Sequence, residues 1–173
     1  MINVLFVCAG NICRSPMADA VFQQRIREAG LDGQIRVNSA GTGAWNVGDP
    51  PHPETRALLR ENNIPYEGVA RQIRYADLES FDYVLAMDRE NLSDILRLLN
   101  RGERSAQQKL EHFYDDAKKP EIALFLSYAN HAGTVEETEV PDPYYYGHYD
   151  LVYSLVDRGC TALLDHLRTR HRL

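Results

Sequence analysis

Cysteine is scarce: three in 173 residues, at positions 8, 13 and 160, an odd number that leaves no disulfide framework to read. Such usage suits a reducing compartment, so a cytoplasmic location is expected. No apolar run approaches the roughly 18 residues of a membrane span. The opening 16 residues have too short an apolar stretch and no basic leader for a signal peptide, so no membrane partner is expected. Positive charge is short as well. Nineteen Lys and Arg against 25 Asp and Glu give a formal charge of −6, which argues against a nucleic-acid surface but leaves room for one local anion pocket. Repeats and low-complexity linkers are missing. His52, His112, His131, His148, His166 and His171 are scattered, with no cysteine or carboxylate neighbours at zinc-like spacing, so no metal or other cofactor is implied.

What the sequence does have is alternation. Residues 2–7 are β-rich and nearly continuously apolar, as a strand covered on both faces would be. Ser15-Pro16 reads as an N-cap followed by proline at the first helical position, and Met17, Val21, Ile26 and Ala29 recur at helical spacing up to a stop at Gly30. A strand over 34–40, a helix over 54–62, a short strand over 70–73, a helical turn over 75–80, a strand over 82–87 and a helix over 90–100 follow. A strand is expected near 110–114, then an extended acidic loop over about 115–140. The apolar run 122–126 inside that loop fits a buried strand or a short helix equally well. A long amphipathic helix over 149–170 closes the chain, with Leu151, Leu155, Cys160, Leu163, Leu164 and Leu167 facing inward. The pattern predicts one α/β domain over 1–173, a three-layer sandwich around a central, mostly parallel four-stranded sheet. Sites are expected at the carboxyl ends of its strands, and a phosphate-binding loop after the first.

Between the first strand and helix lie Cys8-Ala9-Gly10-Asn11-Ile12-Cys13-Arg14-Ser15, with Cys8 and Arg14 separated by five residues. A loop of that length feeding a helix can wrap its N–H groups around one tetrahedral oxyanion, aided by the helix N-terminus. Arg14 can close the ring with two parallel hydrogen bonds to two oxygens. A thiol aimed into such donors is nucleophilic at neutral pH, and Ser15 can donate a hydrogen bond to its sulfur. An isolated Cys-x5-Arg pair more often pairs a small buried hydrophobe with a surface cation. The strand before this one and the helix start after it are the context a phosphate loop demands. A nucleotide-binding loop is disfavoured, because no Gly-x4-Gly-Lys pattern occurs.

The segment Val7-Cys8-Ala9-Gly10-Asn11-Ile12-Cys13-Arg14-Ser15-Pro16-Met17-Ala18-Asp19 resembles the signature of low-molecular-weight protein tyrosine phosphatases. Ser39-Ala40-Gly41-Thr42, Trp45-Asn46-Val47-Gly48, Ala70-Arg71-Gln72, Phe81 through Asp88 and Val140-Pro141-Asp142-Pro143-Tyr144-Tyr145 extend the resemblance in family order over essentially the whole chain. It implies metal-independent hydrolysis of protein phosphotyrosine through a cysteinyl-phosphate. Cys8 would be the nucleophile and Arg14 the phosphate clamp; the loop 8–15, with Ala9, Gly10, Asn11, Ile12, Cys13 and Ser15, would form the cradle. Asp142 would act as general acid and then base, and Asn11, Ser15 and Ser39 would support the loop. Substrates would be tyrosine-phosphorylated proteins and the product inorganic phosphate; the oligomeric state stays open between monomer and weak dimer.

Read from the residues, Asp142 sits between two prolines, which suits a carboxylate held at a fixed place and equally suits an ordinary turn. Trp45, Tyr144 and Tyr145 can form aromatic walls of a slot or belong to the core, and Tyr146 is an extra aromatic with no assigned role. Cys13, near the nucleophile along the chain, is a candidate redox partner or a buried thiol under the loop. Gly68 departs from the family, whose members often carry there a histidine that helps fix the loop asparagine; Ser39, Thr42 or water would have to serve instead. A thiol-dependent arsenate reductase would need two further cysteines that are missing, and a module that only binds phosphotyrosine would need neither Cys8 nor Asp142.

Overall fold

The computed structural model describes residues 1–109 and 119–173, the side chains of 103–109 excepted. In chain order the elements are β1 (Ile2–Cys8), α1 (Arg14–Glu28), β2 (Ile35–Gly41), α2 (Pro53–Glu61), α3 (Tyr75–Ser80), β3 (Tyr83–Ala86), α4 (Arg89–Lys109), β4 (Glu121–Leu124), α5 (Ser127–His131), α6 (Pro143–Tyr146) and α7 (Tyr149–His171). The four strands form one sheet in the order β2-β1-β3-β4, every neighbouring pair parallel. The expected three-layer α/β architecture is the observed one.

Parallel strands need crossover helices, and helices on both faces bury β1 completely in its centre. Val4 and Phe6 of β1 face α1, α5 and α7, where Phe22, Phe125, Val156 and Leu163 join them; Leu5 and Val7 face the opposite side with Leu78 of α3 and Ile95 of α4. Phe6 holds the first layer together edge-on, its ring centroid 5.8 Å from Phe22 and 5.0 Å from Phe125. Truncating such a side chain typically costs about 3–5 kcal/mol. The chain leaves β1 toward β2 on one side and reaches β3 on the other. The carboxyl end of β1 is therefore the switch point where α/β sheets place ligands.

Several expectations change. Helix α1 begins at Arg14 with Cys13 as its cap, and no side-chain cap bond forms. Ser15 is thus inside the first turn, its hydroxyl engaged elsewhere. Pro16 lies one residue further in, where the missing N–H still has no intrahelical acceptor. The strand expected at 70–73 is a single bridge from Gln72 to Gly41. Leu151 is exposed, because the buried stripe of α7 runs through Val152, Leu155, Val156, Gly159, Cys160, Leu163, Leu164 and Leu167. The strand expected at 110–114 lies outside the described residues. Within 119–140 the acidic stretch is not all loop: Glu121–Leu124 pairs with β3 as an edge strand, Phe125 and Leu126 turn into the core, and α5 follows.

Candidate active site

Strand β1 delivers Cys8 to the switch point, and the loop then doubles back into α1. Asn11 makes the turn possible: its φ of 55° lies in the left-handed region, which asparagine tolerates better than other side chains. That conformation turns the Asn11 N–H onto Cys8 Sγ at 3.2 Å, and Ser15 Oγ sits 3.0 Å from the same sulfur. The Asn11 amide is fixed at three points. Its Nδ2 donates to Ser15 Oγ (2.9 Å) and Ser39 Oγ (3.0 Å), and its Oδ1 accepts from the Arg71 N–H (2.9 Å). Ser39 therefore supports the asparagine; Thr42 does not, its N–H bonding the Cys8 carbonyl instead.

Arg14 is only 2% exposed, and a guanidinium so buried requires compensating anions. Its Nη1 donates to Asp88 Oδ2 (2.5 Å) and the Val140 carbonyl (3.1 Å), and its Nη2 to Asp142 Oδ2 (2.7 Å). Burial by itself lowers the Arg14 pKa, but the charges of Cys8, Asp142 and Asp88 outweigh it and push the group above its ordinary value. Asp142 caps α6, its Oδ1 accepting from the Tyr144 N–H at 3.1 Å. The two flanking prolines and this cap hold its carboxylate over the loop.

A cavity of about 210 Å³ opens among Cys8, Ala9, Gly10, Ile12, Cys13, Arg14, Trp45, Asn46, Asp142, Tyr144 and Tyr145. A larger groove of about 750 Å³ lies between α5 and α7, but no cysteine lines it. Trp45 (72% exposed), Tyr144 (60%) and Tyr145 (75%) stand at the rim of the smaller cavity and not in the core. Tyr146 is exposed too, its ring 6.5 Å from Tyr145, and does not line the cavity. Behind the loop, Cys13 Sγ lies 3.5 Å from the Tyr149 hydroxyl, and burial pushes its pKa up to about 12. Cys160 is fully buried in α7, its Sγ 3.6 Å from the Ala18 carbonyl of α1.

Three contributors escaped the sequence reading. Asp88 lies just past the end of β3, so topology brings its carboxylate to the Arg14 guanidinium; the parallel β1–β3 pairing was the signal available. His52 caps α2, stacks on Tyr149 with centroids 5.2 Å apart, and donates its N–H to the Ile12 carbonyl. Tyr66 bonds Asp19 and Ser39 from an irregular segment that has no periodicity to read.

A parallel α/β sheet thus brings a thiol, amide donors and an arginine from its first strand and helix to one cavity, with a capped carboxylate facing them, the composition of a cysteine-and-arginine enzyme site. The family model for low molecular weight phosphotyrosine protein phosphatases matches residues 3–173, and the chain belongs to that family. It is 38% identical to the low molecular weight protein-tyrosine-phosphatase YfkJ of Bacillus subtilis over the full length of both. The crystal structure of YfkJ superposes with a TM-score of 0.84, covering 98% of this chain and 96% of that one. PtpA of Staphylococcus epidermidis is 39% identical over 96% of this chain and 94% of its own. A Drosophila arginine phosphatase, 30% identical, superposes with a TM-score of 0.77 over 97% of this chain and 98% of that one.

Proposed function

We propose that this chain hydrolyses phosphotyrosine in proteins through a cysteinyl-phosphate, with Arg14 and the loop amides supplying the positive charge. The observation that carries the reading is the convergence of Cys8 Sγ, the Arg14 guanidinium and the Asp142 carboxyl on one 210 Å³ cavity. The phosphoryl group enters the cradle, and its oxygens take the loop N–H groups and the Arg14 donors. The Cys8 sulfur then attacks phosphorus while the bond to the phenolic oxygen breaks, and Asp142, protonated, gives that oxygen its proton. In the second step Asp142 as carboxylate takes a proton from a water that attacks phosphorus; the S–P bond breaks, Cys8 departs as thiolate, and inorganic phosphate is released. A positioned acid of this kind is worth about 10²–10⁴ in rate.

The rim favours an aromatic substrate. Trp45, Tyr144 and Tyr145 can flank a phenyl ring, each aromatic pair adding about 0.5–1.5 kcal/mol beyond area burial. A phosphoserine would fall short of Cys8 between tall walls. The test is hydrolysis of p-nitrophenyl phosphate and of matched phosphotyrosine, phosphoserine and phosphoarginine peptides in the presence of EDTA. Phosphotyrosine is expected to be cleaved at the highest kcat/KM, and Cys8→Ser to be inactive yet still bind phosphate. Turnover by Cys8→Ser would remove the cysteine from the mechanism, and a preference for phosphoarginine would overturn the substrate class.

A further inference from the structure

We propose that Tyr66 is a positioning residue of the phosphate loop, its hydroxyl anchoring Ser39 and, through Ser39 and Asn11, aiming the Ser15 hydroxyl at the Cys8 sulfur. The inference rests on the phosphatase reading above and names a residue which that reading does not use. Six side chains form one continuous chain of hydrogen bonds from α1 to the nucleophile. The Tyr66 hydroxyl donates to Asp19 Oδ2 at 2.7 Å and lies 3.3 Å from Ser39 Oγ. Ser39 Oγ accepts from Asn11 Nδ2 at 3.0 Å, and Asn11 Nδ2 also donates to Ser15 Oγ at 2.9 Å, which leaves Ser15 3.0 Å from Cys8 Sγ.

Counting hydrogens gives this chain a direction. The one phenolic hydrogen goes to Asp19, so the Tyr66 oxygen is left to accept, and the Ser39 hydrogen is spent on this pair, on the Tyr66 oxygen or on the Asp19 carboxylate beside it. Ser39 can then only accept from Asn11. The Asn11 amide cannot turn over, because its Oδ1 is occupied by the Arg71 N–H. Both its hydrogens are therefore spent on Ser39 and Ser15. Ser15 receives one hydrogen and has its own left for Cys8 Sγ, with the Ala40 carbonyl at 3.3 Å as the alternative acceptor. Tyr66 stays a phenol in this role: burial, followed by the adjacent Asp19 carboxylate, raises its pKa. Asp19 in turn is anchored, since it sits on α1 four residues after Ser15 and takes a further bond from Gln23 Nε2 at 2.8 Å.

Gly68 makes room for this arrangement. A Cβ at position 68 would lie 2.3 Å from the Tyr66 hydroxyl oxygen and 2.4 Å from the ring carbon that carries it, so any larger residue there displaces the ring.

The test compares wild type with Tyr66→Phe, Ser39→Ala, the double variant and Gly68→Ala, each checked for folding by circular dichroism. For p-nitrophenyl phosphate, Tyr66→Phe is expected to lower kcat about tenfold, the order of one net hydrogen bond, while KM stays within about twofold because Arg14 and the amides still hold the phosphate. Ser39→Ala is expected to lose at least as much, and adding Tyr66→Phe to it to cost less than a further twofold. Gly68→Ala, which moves the hydroxyl without deleting it, should reproduce the loss of Tyr66→Phe. Alkylation of Cys8 by iodoacetamide at neutral pH should slow several-fold in the same variants. That readout needs no turnover, so it judges Tyr66 even if the wild-type protein cleaves no phosphate ester, an outcome that would sink the phosphatase reading alone. Wild-type kcat and alkylation in Tyr66→Phe or Gly68→Ala, or independent losses that multiply in the double variant, would overturn the proposal.

Discussion

A buried arginine with two carboxylates on it divides its loyalties, and Arg14 shows how. Asp88 holds Nη1 and fixes the plane of the guanidinium, while Asp142 holds Nη2 from a helix cap that has only one turn behind it. In the reaction proposed above, a phosphoryl group entering the cradle would take over the Nη2 donor and so free Asp142 for the leaving oxygen. Asp142→Ala is therefore expected to slow phenyl phosphate, whose leaving group needs a proton, by about 10²-fold or more, and p-nitrophenyl phosphate by less than tenfold. Steady-state kinetics across a series of aryl phosphates checks this, and equal losses along the series would remove the acid role. At Cys13 the raised pKa keeps a thiol beneath the loop at neutral pH. We propose that it becomes a resolving group only after peroxide has converted the Cys8 thiolate to a sulfenic acid. Cys13 sulfur then displaces water from it, giving a disulfide that a dithiol reductant reverses. Cys13→Ser should retain turnover but lose most of the activity that wild type recovers with dithiothreitol after a peroxide pulse; equal recovery would exclude the disulfide.

Strand β2 matters at the element scale because its last residue is paired with Cys8 and touches the loop beyond it. A Cβ on Gly41 would lie 2.7 Å from the Ala9 carbonyl oxygen and 3.1 Å from the Asn11 nitrogen, both backbone atoms that no rotamer change can move. The Thr42 and Gly43 N–H groups bond the Cys8 and Ala9 carbonyls, so the loop cannot swing away. Gly41→Ala is expected to displace the cradle and lower kcat/KM about 100-fold, the order of loss for a misplacement near 1 Å, with a melting temperature only a few degrees below wild type. Parallel kinetics and thermal melts test it; unchanged kcat/KM would mean the strand end does not set the loop. Elements of this kind were legible where a short stretch carries its own signal: the apolar run of β1 and the Cys-x5-Arg spacing between strand and helix. They were illegible where the partner is distant in sequence. Nothing near Asp88 says that a guanidinium 74 positions earlier will reach it. Likewise the strand expected at 70–73 shrinks to one bridge, because its backbone serves the loop asparagine and Gly48 instead of a ladder.

Across the whole molecule the buried polar groups gather at one end of the sheet. Among the described residues those buried are Asn11, Arg14, Ser15, Asp19, Ser39, Thr55 and Asn91, and each belongs to the loop or is linked to it directly or through one or two further side chains. Thr55 donates to the Cys13 carbonyl, the Asn91 N–H holds Asp88, and Asp19 reaches the loop through Tyr66. Among the described residues the rest of the core is largely apolar, so the site carries desolvation costs that the two apolar layers offset. Asp19 makes this measurable. Burial raises its pKa against the opposing bonds from Gln23 and Tyr66, so the folded value lies above the unfolded one, near 3.8. In the window between the two values the folded state binds more protons than the unfolded chain. The Asp19 contribution is therefore most favourable below the unfolded value and is lost as pH rises through the folded value. Asp19→Asn keeps an oxygen to accept from Tyr66, and Gln23 can turn its amide to match the new NH2. Its melting temperature relative to wild type should thus climb between pH 4 and pH 7. Scanning calorimetry of both proteins across that range checks the sign. A difference that stays flat or falls with pH would mean that Asp19 is not penalised by its burial, and that the hydrogen bonds from Gln23 and Tyr66 cancel the cost of placing a charge there.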